Sequence, residues 1–250
     1  MVKTYPNLSR KYVETVCVGG LTDNGKWIRI FPIRFRQLPF NKRFSKFDII
    51  EAEVEPTHDK FGRIENHTIK DTTIEILGKL PATPENWERR KKLVLSHLDK
   101  SLEELELKKE SDHVTMGIIK PREIIDFYRK NIEEFREWEA ELIQGNQKTL
   151  IEKITGKKYE SPLEKIPYWM GYHFYCQDER CNGHNMMCED WEMLELFRNM
   201  RKREGSDEKA FEKVKQSYFT WMKERDIYFV VGTESKWNNF LIIGIFYPPK

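Results

Sequence analysis

The stretch "YVETVCVGGLTDNGKWIRIFPI" at residues 12–33 decides the fold of the first part of the chain. Its first half is rich in β-branched residues. Its second half alternates, with Trp27 and Arg29 on one face and Ile28 on the other. The Asn-Gly pair inside "TDNG" is typical of a tight hairpin turn. The stretch therefore predicts two antiparallel strands joined by a short connection.

Three further strand patterns follow this hairpin. They are "FDIIEAEVEP" (47–56), "RIENHTI" (63–69) and "TTIEIL" (72–77). Pro32 and Pro39 favour an irregular loop between the hairpin and the first of them. Five short strands with turns between them favour a small barrel or a strongly curled sheet. We therefore predict an N-terminal OB-like β-barrel over residues 1–80, with the irregular loop at its mouth.

The rest of the chain predicts a second barrel that is interrupted by helices. Residues 81–112 show apolar residues at helical spacing, and Thr83 before Pro84 is a plausible helix start, so this region is predicted as a helical connector. Strand patterns then return near 113–119, 123–129, 168–176, 226–232 and 239–247. Helical patterns occupy 131–154, 190–204 and 207–225, the last with Ser206 as a candidate N-cap. The predicted fold class is α+β, with two five-stranded OB-like barrels, the second over 113–250.

The bulk composition indicates a globular protein and not a membrane protein. The hydrophobic fraction is 39% and the charged fraction 34%, and no apolar run approaches the length needed to span a bilayer. The first residues, "MVKTYPNLSRKY", lack the apolar core of a signal peptide. Four cysteines in such a chain favour reduced thiols and a metal over disulfides. We therefore expect a cytoplasmic protein.

Three of these cysteines lie in "CQDERCNGHNMMCEDWE" (176–192), with one histidine among them. The spacing is Cys176-x4-Cys181-x2-His184-x3-Cys188. Three thiolates and an imidazole form a known tetrahedral zinc set, and these four residues are the predicted Zn²⁺ ligands.

Several details of this cluster are open at the sequence level. Gly183 permits a tight backbone beside the histidine. Asp190 or His173 are alternatives to Cys188 as the fourth ligand. Some of these cysteines are alternatively small buried apolar residues with no metal. A site closed by four protein ligands is structural, and its position after a strand favours a clip that anchors an insertion.

An enzymatic alternative uses the same cluster. If only Cys176, Cys181 and His184 bind the ion, water takes the fourth position, and Asp190 or Glu192 serves as the base. This logic is that of the zinc deaminases, but their His-x-Glu and Pro-Cys-x-x-Cys elements are absent. The alternative function is therefore a metal-dependent nuclease or hydrolase. Asp190 is equally a candidate cap for the helix that follows.

Residues 1–46 carry ten basic residues against two acidic ones, with aromatic residues interleaved. A basic surface with aromatics suits a phosphate backbone with unstacked bases. The predicted nucleic-acid-binding residues are Lys26, Trp27, Arg29, Arg34, Arg36, Lys42, Arg43 and Lys46. Of the aromatics, Trp27, Phe35 or Phe40 would stack bases if exposed. With equal weight, the aromatics are barrel core and the charges a solvated face. The acidic run at 103–111 is also expected to be solvated.

The segment "KYVETVCVGGLTDNGKWIRIFPIRFRQL" (11–38) resembles the opening of bacterial dual OB-containing domain proteins, above all from Cys17 to Arg29. The resemblance implies two OB barrels, binding of nucleic acid or nucleotides, and a setting in mobile-element or phage-defence neighbourhoods. It implies no catalytic residues.

We therefore expect a zinc-stabilised accessory module that binds nucleic acid, single-stranded or at a junction. A protein partner that docks on the helical insertion is a further hypothesis, and no membrane partner is expected.

Overall fold

The computed structural model describes residues 2–132, 139, 141, 163–234 and 236–250. Strands and a smaller number of helices alternate through these residues, so the predicted α+β class is confirmed. The helix predicted at 131–154 falls almost entirely outside the described residues. In the part of the chain that the structure describes, no helix is long and apolar enough to cross a membrane.

The first part of the chain is built on the predicted hairpin. Its strands are β1 (Val2–Lys3), β2 (Asn7–Ser9), β3 (Val13–Leu21), β4 (Trp27–Ile33), β5 (Asp48–Glu51), β6 (Val54–Pro56), β7 (Asn66–Ile69) and β8 (Glu75–Lys79). Strands β3 and β4 pair antiparallel, and Gly25 takes the left-handed conformation (φ +76°) in the turn between them. The hairpin prediction is therefore confirmed.

The sheet around this hairpin has the order β1-β3-β4-β7-β6, with β2 also on β3. Strand β7 runs parallel to β4, while β5 and β8 form a separate antiparallel pair. Short 3₁₀ turns at Phe35–Gln37 and Phe40–Lys42 shape the irregular loop. No closed barrel is found among the residues that the structure describes, so the OB barrels stay a prediction.

The second part contains helices packed around two sheets. Its elements are α1 (Pro84–Leu95), β9 (Leu98–Asp99), α2 (Leu102–Asp112), β10 (Met116–Ile119), β11 (Pro121–Asn131), β12 (Tyr168–Cys176), β13 (His184–Met187), α3 (Trp191–Glu204), α4 (Asp207–Lys215), β14 (Tyr228–Thr233) and β15 (Phe240–Phe246). One sheet has the order β15-β14-β10-β9 and the other β11-β12-β13. Each of the five predicted strand regions contains a strand.

Side-chain caps start α3 and α4 where the sequence predicts, while Thr83 precedes α1 without a side-chain cap bond. The Ser206 hydroxyl accepts a hydrogen bond from Lys209 N at 3.4 Å and begins α4. The Asp190 carboxylate accepts from Met193 N at 3.1 Å and begins α3. Both bonds satisfy backbone donors that a helix N-terminus leaves unpaired. The capping role of Asp190 is therefore confirmed.

The two parts share an apolar core. Val94, Ile118, Val230 and Phe246 form a buried cluster against which Trp27 of the first part packs. Aliphatic burial of this kind stabilises by roughly 1.5–3 kcal/mol per large side chain. The N-terminal hairpin is thus packed directly on the sheet that contains β10, β14 and β15.

A buried polar network joins the same two parts. The Arg29 guanidinium donates to Thr115 O at 2.9 Å and to Thr233 O at 3.1 Å. The Glu65 carboxylate accepts from Thr115 N at 2.7 Å and from the Thr115 hydroxyl at 3.0 Å. All four residues are buried. Each charged group is thereby satisfied by the other part of the chain, as buried charge requires.

Candidate metal centre and the basic loop

Four potential ligands meet at the ends of β12, β13 and α2. Cys176 ends β12, His184 begins β13, Cys181 lies in the loop between them, and Glu103 lies in the first turn of α2. Their ligand atoms all lie within 4.8 Å of one another. His184 Nε2 is 3.2 Å from Cys181 Sγ and 3.1 Å from Glu103 Oε1. Two thiols, an imidazole and a carboxylate at this spacing could hold a metal ion.

The loop between β12 and β13, residues 177–183, is shaped by its own backbone. Cys181 N donates to Asp178 O at 3.1 Å, which folds the loop into a turn. Gly183 has φ +91°, and a Cβ there would lie 3.1 Å from the Tyr175 ring. Both the conformation and the close approach favour glycine, as the sequence predicted.

Backbone hydrogen-bond donors surround the two sulfurs of the cluster. Burial raises the pKa of Cys176 to about 12, an effect that Leu102 N–H, at the N-terminus of α2, opposes by donating to the thiol. The Cys181 sulfur accepts from Cys176 N at 3.2 Å and from Gly183 N at 3.4 Å. A bound cation favours the thiolate, since metal ligation requires the deprotonated form. Backbone N–H donors around both sulfurs are suited to that charge.

The fourth residue of the cluster is Glu103, whereas the predicted ligand Cys188 lies apart from it. Cys188 N donates to Met170 O at 2.7 Å, and Met170 lies six residues before Cys176 on β12. At roughly 3.3 Å per residue this separates Cys188 from Cys176 by about 20 Å along the strand. The Cys188 thiol is buried, and burial raises its pKa well above the ordinary value, so it behaves as a small apolar residue.

The other two alternatives for the fourth ligand, His173 and Asp190, are also not among the four clustered residues. Along β12 the residues Tyr172, Phe174 and Cys176 face the core, so His173 faces the opposite side. The Asp190 carboxylate is fully engaged elsewhere, where it accepts from Met193 N and Ile245 N, each at 3.1 Å, and from Lys46 Nζ at 2.8 Å.

The structure also separates the residues of the predicted hydrolase. Glu192 and Asp190 both accept from Lys46 Nζ at 2.8 Å, whereas His184 lies beside Glu103. His184 pairs with Phe174 on β12, four residues from the Met170 that bonds Cys188 N, a distance of about 13 Å along the strand. His184, Asp190 and Glu192 are therefore not brought together into one site.

Residues 98–250 match a family model described as Domain of unknown function (DUF8757). The chain belongs to this family. Residues 1–96 match a second model, Domain of unknown function (DUF8758). No curated protein and no solved structure matches the chain. The two matches meet at residue 97, inside the predicted connector 81–112. The metal centre thus lies wholly in the DUF8757 segment, and the predicted nucleic-acid-binding residues lie in the DUF8758 segment.

Residues 34–46 of the DUF8758 segment are called the basic loop here. Most of its basic side chains form ion pairs or hydrogen bonds with other residues of the protein. Arg36 donates to both oxygens of the buried Glu14 carboxylate at 2.9 Å. Arg34 pairs with Asp71 at 2.9 Å. These three-dimensional partners lie far from the arginines in sequence, so the charge pattern alone did not reveal them.

The remaining cations of the basic loop bond to carbonyls or carboxylates. Lys42 Nζ donates to Ile74 O at 3.1 Å, and Arg43 Nε donates to Leu38 O at 2.8 Å. Lys46 is held by its two carboxylate partners, which raise its pKa despite the opposing effect of burial. These bonds brace the basic loop along its whole length.

The predicted stacking residues differ in exposure. Phe35 is buried against Phe44 and Trp191, and Trp27 is half-buried against His97 with ring centroids 5.3 Å apart. Phe40, by contrast, is 89% exposed. Lys26 is exposed at the tip of the β3–β4 hairpin, while Arg29 belongs to the buried network and not to the surface.

Sequence reasoning missed Glu103, which it assigned to a solvated acidic run. Ser101 caps α2 by accepting from Glu104 N at 3.2 Å, and this cap fixes Glu103 in the first turn. Parallel pairing of β9 with β10 then brings α2 beside residues 176–184, which we call the metal loop. A serine followed by two acidic residues predicts the start of a helix. Which residue the acidic side chain then contacts is set by tertiary structure alone.

Proposed function

We propose that this protein is a zinc-stabilised module that binds single-stranded nucleic acid through the basic loop. The observation that carries the proposal is Phe40, an aromatic ring 89% exposed on the basic loop, just before Lys42 and Arg43 in sequence. Stacking of a base on such a ring contributes roughly 1–3 kcal/mol and tolerates any sequence.

The bracing of the basic loop supports this role. Lys42 and Arg43 follow Phe40 in sequence. Lys42 Nζ donates to Ile74 O, outside the basic loop, and Arg43 Nε donates to Leu38 O within it. A loop that is already ordered loses little conformational entropy when a ligand binds. Phe40 is thus presented in a fixed position, at a place where an apolar side chain gains nothing from the protein's own core.

Few phosphate contacts are expected. Arg34, Arg36 and Lys46 have carboxylate partners. Lys26 and Arg43 are the exposed cations of the predicted set. Two phosphate contacts to a single strand give a slope of roughly −1.4 in log affinity against log salt concentration. The proposal is therefore for binding in which stacking outweighs charge.

Fluorescence anisotropy with a labelled oligothymidylate, measured over a salt series, tests this function. We expect Phe40→Ala to weaken binding at least about tenfold, since it removes the stacking surface. The matched control is Trp237→Ala, which removes another exposed aromatic, 67% accessible on the turn between β14 and β15. Wild-type binding that is absent at low salt, or that Phe40→Ala leaves unchanged, overturns the proposal.

We propose Zn²⁺ as the ion of the metal centre. Thiolate and imidazole ligands select zinc among the common divalent ions, and a carboxylate is an accepted fourth ligand. Elemental analysis should find one zinc per chain and its loss in Cys181→Ser. Cys188→Ala is the control, and zinc lost from that variant as well contradicts the ligand set of Glu103, Cys176, Cys181 and His184.

We further infer that each family segment is an OB-like unit of a cytoplasmic accessory protein in a defence or mobile-element setting. The five-strand pattern of each part and the resemblance at 11–38 support this inference. The four cysteines are free, which suits a reducing compartment. Cross-strand amide contacts in NMR spectra between the β5–β8 pair and the six-stranded sheet would close the first barrel. Their absence contradicts the OB assignment.

A further inference from the structure

A groove of about 410 Å³ lies between the basic loop and helix α3. Lys3 and Lys46 line one side of it, and Trp191, Glu192 and Asn199 line the other. The metal centre lies elsewhere, at the far end of β12, and Phe40 is not among the lining residues. The groove is therefore separate from the metal centre and from the exposed Phe40 ring, although Lys46 of the basic loop lines it.

Lys3 is an unusual amine within this groove. Its Nζ donates to Phe44 O at 2.6 Å and lies 4.1 Å from the ring centroid of Phe35 and 5.3 Å from that of Trp191. Among the described residues, no carboxylate lies within ion-pair distance of this nitrogen. Burial lowers the pKa of Lys3 to about 8. The surroundings of the buried amine are therefore aromatic, with one carbonyl acceptor and, in the described part of the chain, no carboxylate partner.

Lys46 provides the contrast on the same wall. It is ion-paired with Asp190 and Glu192, each at 2.8 Å, and it stays protonated. The charged groups that act on Lys3 are Glu192 and Asp48, which favour its charged form, and Lys46 and Lys79, which oppose it. The groove therefore contains one permanent cation and one amine that is readily neutral.

We propose that this groove is a small-molecule site in which the ε-amine of Lys3 captures a neutral aldehyde or ketone as a Schiff base. A desolvated lysine beside a second cation is the arrangement that activates an amine for this reaction. Trp191 supplies an apolar wall for the body of the carbonyl compound. The carboxylates of Glu192 and Glu195 line the same groove and disfavour an anionic one.

The step balances with water as its by-product. The lone pair of neutral Nζ forms a bond to the carbonyl carbon, and the carbonyl π pair moves to oxygen. That oxygen takes up a proton as the nitrogen loses one, which gives a carbinolamine. Loss of water then forms the C=N bond, and hydrolysis reverses the sequence. No oxidant or cofactor is required.

Reductive trapping tests the site. The full chain is treated with benzaldehyde and cyanoborohydride at pH 8, and labelled lysines are located by fragment-ion mass spectrometry, which separates the Lys3 amine from the chain's α-amine. At this pH about half of Lys3 is neutral, against about 0.4% of an ordinary lysine. We expect Lys3 to be labelled on the order of tenfold faster than Lys26, with a rate that saturates as aldehyde increases. Labelling no faster than that of Lys26, or a rate strictly linear in aldehyde, overturns the proposal.

Two variants of Asn199 separate a true groove from a merely reactive lysine. Asn199 is exposed on α3, so its replacement leaves the aromatic surroundings of Lys3 intact. Asn199→Trp fills the groove and should slow Lys3 labelling at least about fivefold, while Asn199→Ala should leave the rate unchanged. Equal labelling of Asn199→Trp and the wild type overturns the site. These variants also serve if Lys3→Arg, which removes the nucleophile but keeps the charge, fails to fold.

Discussion

The metal loop and the basic loop are both dense in polar side chains, but they direct them in opposite ways. Cys176, Cys181 and His184 converge with Glu103 on one point, and no lysine or arginine pairs with them among the described residues. The arginines and lysines of the basic loop instead form ion pairs and hydrogen bonds with the protein's own carboxylates and carbonyls. A run of similar polar residues in a sequence therefore indicates a ligand-binding site only where the fold does not pair those side chains with other groups of the protein.

The largest effect on stability is expected from removing the metal ion, because the side chains of the metal loop converge on it. An ion present at 1,000 times its dissociation constant stabilises the folded state by about 4 kcal/mol. We expect a chelator to lower the free energy of unfolding by this order in wild type and in Cys188→Ala, but not in Cys176→Ser, which has already lost the site. Urea titrations with and without chelator measure it. Equal chelator sensitivity in Cys176→Ser would show that the ion binds elsewhere.

The second effect is the loss of stability when an ion pair that holds the basic loop is removed. Lys46→Met leaves the buried Asp190 without its cation, and removing one partner of a buried pair costs about 3 kcal/mol. The control is Lys70→Met, which breaks the exposed pair with Glu53 and should cost less than about 1 kcal/mol. Thermal melts of both variants measure the difference. Similar melting temperatures would mean that the basic loop is not held by its ion pairs.

Glu189 has no lysine or arginine partner within ion-pair distance among the described residues, so it extends the comparison to the effect of pH. Burial, aided by Glu234, raises its pKa to about 7. Since this lies above the unfolded value, the folded state binds the extra proton between the two pKa values. The contribution to stability is present below pH 4.5 and is lost as pH rises to 7, a change of up to about 3 kcal/mol. Glu189→Gln should abolish this slope, as urea titrations at pH 5 and pH 8 would reveal. A slope retained in that variant would assign it to another group.

The smallest effect is expected for Lys26, the exposed cation at the hairpin tip. Lys26→Ala should change the free energy of unfolding by less than about 0.5 kcal/mol, as is usual for surface sites. If Lys26 meets a phosphate, the same change should reduce the salt slope of oligonucleotide binding by roughly 0.7. Anisotropy titrations at several salt concentrations provide the measurement, and an unchanged slope would remove Lys26 from the interface.

Local patterns predicted most elements of the fold but not their partners. The β3–β4 hairpin, the caps at Asp190 and Ser206 and the glycine at 183 all follow from short-range rules, because turns and helix starts depend on adjacent residues. The ligand Glu103 lies about 70 residues before Cys176, and Glu14 lies 22 residues from Arg36. Such pairings are set by strand order and helix packing, which periodicity does not encode. Cys188 shows the converse. Its closeness in sequence to Cys181 and His184 placed it among the predicted ligands, but the hydrogen bond from its backbone N–H to Met170 O places it apart from the cluster.

The buried network of Arg29, Thr115 and Glu65 bears on how such chains are inherited. Residue 97 separates the two family matches, yet Arg29 and Glu65 on one side find their hydrogen-bond partners on the other. A gene that encoded the first segment alone would leave the Arg29 guanidinium and the Glu65 carboxylate without these hydrogen-bond partners. The apolar face beside them would also be exposed. We therefore expect the two segments to occur together in one chain, with both halves of the network retained.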